Sequence, residues 1–153
     1  MAVSAVHNGW RWDTQNSRLD FYYRGTRVGH INANGLSTVQ SLGYGTGAGS
    51  TVTQITSRAT GVTIDALCGA ITTDTTSLAA GVEATFTVTN SKVAIGDVII
   101  LSARSGQTAS TSVPIVTAVA AGSFDITLTN LHASTADTGA MIINFAVIKA
   151  VSA

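Results

Sequence analysis

Polar and apolar residues alternate along much of the chain, which is the pattern of a half-buried β-strand. The run 84–90 places Phe86 and Val88 on one face and its threonines on the other. The run 123–130 repeats this pattern, with an aromatic or aliphatic residue at every second position. Both runs end in asparagine, a common turn residue. The pattern predicts two strands of a sheet with one face in a core.

Further runs rich in Thr, Val and Ile predict additional strands at 51–55, 61–64, 69–73, 97–103 and 113–120. The run 141–149 is apolar on both faces, which predicts a central or interface strand rather than an edge. A single short helical turn is predicted at 77–81. Glycine and asparagine separate the runs at short intervals, so the fold class is mainly β, with an antiparallel β-sandwich or jelly-roll-like domain.

The first 40 residues differ from the rest. Two short runs, 19–24 and 26–31, flank Gly25 and predict a β-hairpin, and Asn34-Gly35 is a second turn signal. A glycine-rich stretch follows and is typical of a flexible linker. We therefore predict an N-terminal arm with a hairpin for docking at 1–40, a linker at 41–50 and a β-sandwich domain at 51–153.

Charge is scarce, with 8 basic and 8 acidic residues in 153, while 23 Thr and 15 Ser supply most of the polarity. Zero net charge argues against a nucleic-acid partner. A single cysteine excludes a disulfide scaffold, and no apolar run is long enough to predict a membrane span. The N-terminus lacks the features of a signal peptide, so assembly in the cytoplasm is expected.

The sequence offers little evidence for a catalytic site. The stretch 43–49 invites comparison with a dinucleotide fingerprint, but Ala48 or Ser50 stands in place of the third glycine and strands are predicted after it, so a linker is favoured. Cys68 lies among apolar neighbours and is interpreted as a small core residue. The acids Asp65, Asp74, Asp97 and Asp137 fall in predicted turns, where the carboxylate binds backbone N–H groups. We therefore expect that the chain is not an enzyme and that it binds neither a cofactor nor a metal.

Aromatic residues and arginines concentrate in the arm, which holds five of the nine aromatics and four of the six arginines. A segment of 40 residues can scarcely bury two tryptophans, a phenylalanine and two tyrosines internally. Trp, Tyr and Arg are the residues that dominate protein interfaces. The candidate partner-binding residues are Trp10, Trp12, Tyr22, Tyr23, Arg24 and Arg27.

The strand at 141–149 also suggests assembly, because both of its apolar faces need cover. Interfaces between obligate copies are apolar and poor in charge. We predict a homo-oligomer with Ile142, Phe145 and Val147 at the interface.

Several stretches together resemble a β module found repeatedly in structural proteins of tailed bacteriophages. They are 45–57, 60–64, 69–72, 86–90, 97–100 and 142–148, and the resemblance spans about two thirds of the chain. The segment 12–30 is similar to the short N-terminal segments that place such modules on a virion.

The resemblance implies a capsid decoration (cement) protein or head fibre, expected to be a trimer on the virion surface. Its partner would be the major capsid protein, and its role would be to stabilise the head by binding. The alternative is a tail-fibre or receptor-binding module that recognises a host glycan. A small depolymerase is the weakest of the three hypotheses, because the acids are few and scattered.

Overall fold

The computed structural model describes residues 8–38, 42–108 and 112–150. The chain divides between Gly43 and Tyr44 into two compact units. The first unit is an antiparallel sheet, called here the N-terminal sheet, whose four strands pair in chain order. They are β1 (Gly9–Asp13), β2 (Arg18–Tyr23), β3 (Thr26–Asn32) and β4 (Gly35–Thr38). The predicted hairpin is its β2–β3 pair, and β1 and β4 extend it on either side.

The second unit contains eight strands in two four-stranded sheets. They are β5 (Gly49–Thr53), β6 (Val62–Thr63), β7 (Cys68–Thr72), β8 (Glu83–Thr89), β9 (Val98–Ser105), β10 (Ser112–Ala120), β11 (Ser123–Asn130) and β12 (Ile142–Ile148). One sheet has the order β10-β11-β8-β6 and the other the order β5-β7-β12-β9. The prediction of a mainly β fold with a sandwich is confirmed, and most strands begin and end within two residues of the predicted bounds.

The core lies between these two sheets. Phe86 and Phe124 come from one sheet, Ile71 and Phe145 from the other, and all four are at most 3% exposed. The rings of Phe124 and Phe145 lie 5.8 Å apart between centroids in a tilted arrangement. Strand alternation alone places these side chains inward, because every second residue of a strand faces the same side.

Two strand pairs are parallel, which differs from the antiparallel expectation. Strand β5 runs parallel to β7, and the short β6 runs parallel to β8. Alternating hydrophobicity identifies a strand but carries no information about the direction of its neighbour. Each pair includes an edge strand, so the centre of each sheet remains antiparallel.

Strand β12 lies inside its sheet, between β7 and β9, but only one of its faces is buried, and Asn144 and Ile148 on the other face are exposed. The prediction that Phe145 and Val147 lie at an interface between copies is wrong. Both side chains face the core of their own chain, at 3% and 0% exposed. Ile142 lies on the opposite, outward face and is partly exposed.

The helical turn predicted at 77–81 is absent. Leu78 instead forms an antiparallel bridge with Asp137, with both N–H to O distances at 2.9 Å. Its side chain joins the core at 4% exposed. Pairing with a distant segment therefore replaces a helical turn at Leu78, and a hydrogen bond from the N–H of Val82 to the carbonyl oxygen of Ala79 at 3.1 Å closes a turn directly after it. Across the described ranges, the structure contains no helix long and apolar enough to cross a membrane.

Candidate docking surface

The register of the N-terminal sheet collects its apolar residues on one face. Trp12 lies opposite Leu19 and Trp10 opposite Phe21 across the β1–β2 pair. Directly opposed residues of an antiparallel pair share a face of the sheet. The same rows continue through β3 and β4, where Leu19 pairs with Ile31 and Ile31 with Leu36. We call this surface the aromatic face; it comprises Trp10, Trp12, Leu19, Phe21, Ile31 and Leu36.

The aromatic face is uncovered. Trp10 is 69% exposed, Trp12 55% and Leu36 58%. Ile31 is also exposed, while Leu19 and Phe21 in the middle strand are half-buried by their neighbours. An apolar patch of this kind, bordered by polar residues, is typical of a protein interaction site.

The other face of the N-terminal sheet carries charged side chains that form ion pairs, while Arg11 Nε and Asp20 Oδ2 are buried without a hydrogen bond. Asp20 is 0% exposed, and three arginines from three different strands surround its carboxylate. The Nε of Arg18 donates a hydrogen bond to it at 2.9 Å. Nitrogens of Arg27 and Arg11 lie 3.5 and 3.9 Å from its oxygens. Arg18 also pairs with Asp13 at 3.2 Å. The charges of this face therefore bind one another.

Tight turns hold the strands in this register. Arg24 and Gly25 have φ angles of 48° and 78°, which the type I′ turn of a two-residue hairpin requires. Asn8 accepts a hydrogen bond from the backbone N–H of Arg24 at 2.8 Å. Gly29 lies so close to β4 that a Cβ there would be 2.7 Å from the carbonyl oxygen of Ser37. These local features fix which residues share the aromatic face.

The six predicted partner-binding residues do not form one surface. Trp10 and Trp12 lie on the aromatic face, whereas Tyr22 and Arg27 lie on the charged face, where the guanidinium of Arg11 stacks over Tyr22 at 5.8 Å. Tyr23 is exposed on the same side of β2 as Phe21 and stacks with Arg24 at 5.4 Å beside the β2–β3 turn.

Sequence reasoning missed Leu19, Phe21, Ile31 and Leu36 as members of the surface. These residues alternate with polar residues in their strands, which is visible in the sequence. The register between strands, which is not visible there, decides that they share one face.

The other candidate sites have structural roles. The glycine-rich stretch leads into β5 without opening a helix, so it lacks the context of a dinucleotide site. The prediction that Cys68 is a core residue is wrong, because it lies half-buried on the outward side of β7, opposite Ala146. The Nδ1 of His132 accepts hydrogen bonds from the N–H groups of Ser134 and Thr135 at 3.1 and 2.8 Å. Among the residues that the structure describes, no three His, Cys, Asp or Glu side chains gather in a way that would hold a metal.

The aspartates bind backbone N–H groups as predicted, but Asp65 and Asp137 also do so across distant segments of the chain. Asp65 accepts a hydrogen bond from the N–H of Ser91, and Asp74 accepts one from the N–H of Thr76, both at 2.7 Å. Hydrogen bonds from the side chain and backbone N–H of Thr76 hold the pKa of Asp74 below its ordinary value of 3.8. These carboxylates stabilise loops as anions.

Comparison with known proteins does not assign this chain to a family. A scan against protein-family models and searches of curated proteins and of solved structures found no match.

Proposed function

We propose that this chain is a non-enzymatic structural protein of a bacteriophage virion, which binds the major capsid protein on the capsid surface and stabilises the head as a decoration or cement protein. The observation that carries the proposal is the exposed aromatic face of a separate compact unit. The resemblance of 45–150 to phage β modules supplies the class of partner.

The chemistry of the aromatic face supports docking to a protein surface. Two tryptophans supply large apolar area at low cost in side-chain entropy, and residues of this type dominate binding energy at interfaces. Since the arginines of the opposite face are engaged with Asp20 and Asp13, they compete little for a partner. The sheet therefore presents one exposed apolar face and one face whose arginines form ion pairs with its aspartates.

The size of the aromatic face fits repeated attachment better than a single tight contact. Four strands of about five residues span roughly 19 by 17 Å, or about 300 Å². A contact of this size is weak for one isolated pair of proteins. On a shell, a protein that binds only the assembled state stabilises that state by mass action, and many copies add their effects.

A pair of adjacent residues on β4 allows a sharp test. Leu36 lies on the aromatic face and Ser37 on the charged face, and both are exposed. Full-length Leu36→Lys should bind at least tenfold more weakly to expanded heads that lack this protein, taken from the phage whose genome encodes it. Ser37→Lys is the matched control and should bind as the unmodified protein does.

Binding is measured by co-sedimentation with the heads, and head stability by their thermal disruption temperature. The proposal requires that the unmodified protein and Ser37→Lys raise this temperature and that Leu36→Lys does not. Failure of the unmodified protein to bind any head would refute the role in the virion. Equal binding by all three proteins would refute the aromatic face as the docking surface.

A further inference from the structure

The two outer faces of the sandwich have different chemistry. On the sheet β10-β11-β8-β6, outward threonines are hydrogen-bonded in a chain, with Thr127 Oγ1 lying 2.7 Å from Thr85 Oγ1 and 3.1 Å from Thr117 Oγ1. Thr87 donates to Asp125 at 2.8 Å on the same face. This face is mostly polar and carries carboxylates, and its exposed aliphatic residues are Val113 and Ile115 on the edge strand β10.

The outer face of the sheet β5-β7-β12-β9 is aliphatic at one end, while the next row across it carries Asn144, Ser102 and Thr51. Val98, Ile100 and Ile148 are 52%, 50% and 49% exposed and lie next to one another on β9 and β12. From the Val98–Ile148 row to Ile142 at the start of β12, the outward positions carry no charged side chain except Arg104, which lies in a bulge near the end of β9. We call this surface the aliphatic face.

The aliphatic face has a ridge on one half and a depression on the other. The ridge consists of Val98, Ile100 and Ile148. The depression lies over β5 and β7, where Gly49 and Ala70 are among its lining residues. Small side chains create it, because glycine and alanine leave the strand surface low.

Ridge and depression lie in register across the sheet. Ile100 pairs with Ala146, Ala146 with Cys68, and Cys68 with Gly49, so these four residues form one row from edge to edge. A twofold axis parallel to the strands exchanges the two edges of the sheet and keeps each row at its own level. Two copies related by such an axis would place Ile100 of each over Gly49 of the other. Contacts of this reciprocal kind are what an isologous dimer needs.

The scarcity of charged side chains on the aliphatic face also favours a second copy of this chain as its partner. Identical faces brought together by a twofold axis repel each other when they carry unpaired charge, as the Glu83 and Asp125 face would. The aliphatic face avoids this cost and removes exposed aliphatic side chains from water. We propose that two copies of this chain associate through the aliphatic face, with Ile100 of each copy seated over Gly49 of the other.

The contact area determines how strongly the two copies are expected to associate. Seven residues of β12 and four strands span about 24 by 19 Å, or about 450 Å² for each copy and about 900 Å² in total. This lies below the range of stable dimers, so we expect a reversible dimer. This dimer differs from the trimer that the phage resemblance implies, and its formation does not depend on the aromatic face.

Sedimentation equilibrium of the full chain, from about 10 μM to about 1 mM, tests the proposal. The unmodified protein should rise in mass from 15.6 kDa toward twice that value. Ile100→Lys should remain at the monomer mass. Ile115→Lys is the matched control, because Ile115 is also 50% exposed and lies on the edge strand β10 of the other sheet. It should associate as the unmodified protein does, and circular dichroism checks that both variants are folded.

Three outcomes would overturn the proposal. They are a monomer at every concentration, equal behaviour of the two isoleucine variants, or association that is lost in Leu36→Lys but kept in Ile100→Lys. The last would place the contact on the N-terminal sheet. The measurement uses no capsid, and Ile100→Lys should still bind heads, so this proposal and the docking proposal can fail separately.

Discussion

The guanidinium of Arg58 lies 3.6 Å from the carboxylate of Asp137, and both side chains are almost wholly buried, at 3% and 0% exposed. Arg58 also donates to the carbonyl oxygens of Asp137 and Gly139 at 3.2 and 2.8 Å. Asp137 in turn accepts from the N–H groups of Thr108 and Gly139 at 2.9 and 3.0 Å. The pair thus joins the loop after β5 to the loop before β12.

Arg58→Met should destabilise the second unit by about 3–5 kcal/mol, because it leaves the Asp137 carboxylate buried without its cation. Urea unfolding followed by circular dichroism measures the change. Arg104→Met removes an exposed arginine and should change the free energy of unfolding by less than about 0.5 kcal/mol. Similar losses in both variants would show that burial of the ion pair is unimportant.

Acid should weaken the fold through Asp97. The side-chain hydrogen bond from Lys149, followed by that from the N–H of Ala94, holds the pKa of Asp97 below its ordinary value of 3.8. A carboxyl group with a depressed pKa in the folded state stabilises that state above the unfolded pKa. This contribution is lost as the pH falls through 3.8 toward the folded pKa.

The unfolding midpoint in urea, compared at about pH 6 and about pH 3, should therefore fall less in Asp97→Asn than in the unmodified protein. Lys149→Met should also flatten the dependence, because it removes the main cause of the lowered pKa. An identical fall in all three proteins would contradict the assignment.

Phe145→Ala should cost roughly 3–5 kcal/mol, because it leaves a cavity against Phe124 between the two sheets. The neighbouring Ile148→Ala, at a position 49% exposed, should cost less than about 1 kcal/mol. Denaturant unfolding of both variants compares an inward and an outward position of one strand. A larger loss in Ile148→Ala would mean that the faces of β12 are reversed.

Gly69→Ala should be strongly destabilising. A Cβ at this position would lie 2.2 Å from the carbonyl oxygen of Ser50 and 3.0 Å from the ring of Phe145, so the parallel β5–β7 pair would have to separate. Gly45→Ala is the control, since nothing lies within 4 Å of a Cβ there. We expect a clear drop in melting temperature for the first and a small change for the second. Equal melting temperatures would argue against the close approach of β5 to β7.

Alternation was sufficient to predict most strands of the sandwich, because one face of each strand is buried in a single core. It failed for β1 and β4. In β4 only Leu36 is apolar, and in β1 the aromatic residues were interpreted as a cluster rather than as alternate positions of a strand. The local pattern does not show which strands pair with each other, and strand pairing decides which residues share a face.

The two asparagines that end β8 and β11 illustrate another limit. Asn90 and Asn130 were predicted as turn residues, and each does accept a hydrogen bond from an N–H two residues later, at 3.0 Å. Both are also 0% exposed and donate at 2.8 Å to distant carbonyl oxygens, of Ala66 and Leu78. The local role was visible in sequence, while the long-range role required the fold.

The candidate site was predicted in part for the same reason. The concentration of aromatic residues in the arm drew attention to Trp10 and Trp12, which do lie on the aromatic face. Arginine was grouped with them because it is common at interfaces, but Asp20 lies at the centre of the opposite face and attracts three arginines. One buried carboxylate therefore decides which face is free to bind.

The position of β12 has a consequence during synthesis. This strand leaves the ribosome after all the other strands of the sandwich, yet it lies inside its sheet and pairs with β7 and β9. Until residue 148 has emerged, β9 has no partner in its sheet and Phe124 has no ring from Phe145 to pack against. Chains interrupted before β12 would leave their aliphatic strands open to proteolysis. The order of the strands thus allows only chains translated through β12 to complete the sandwich.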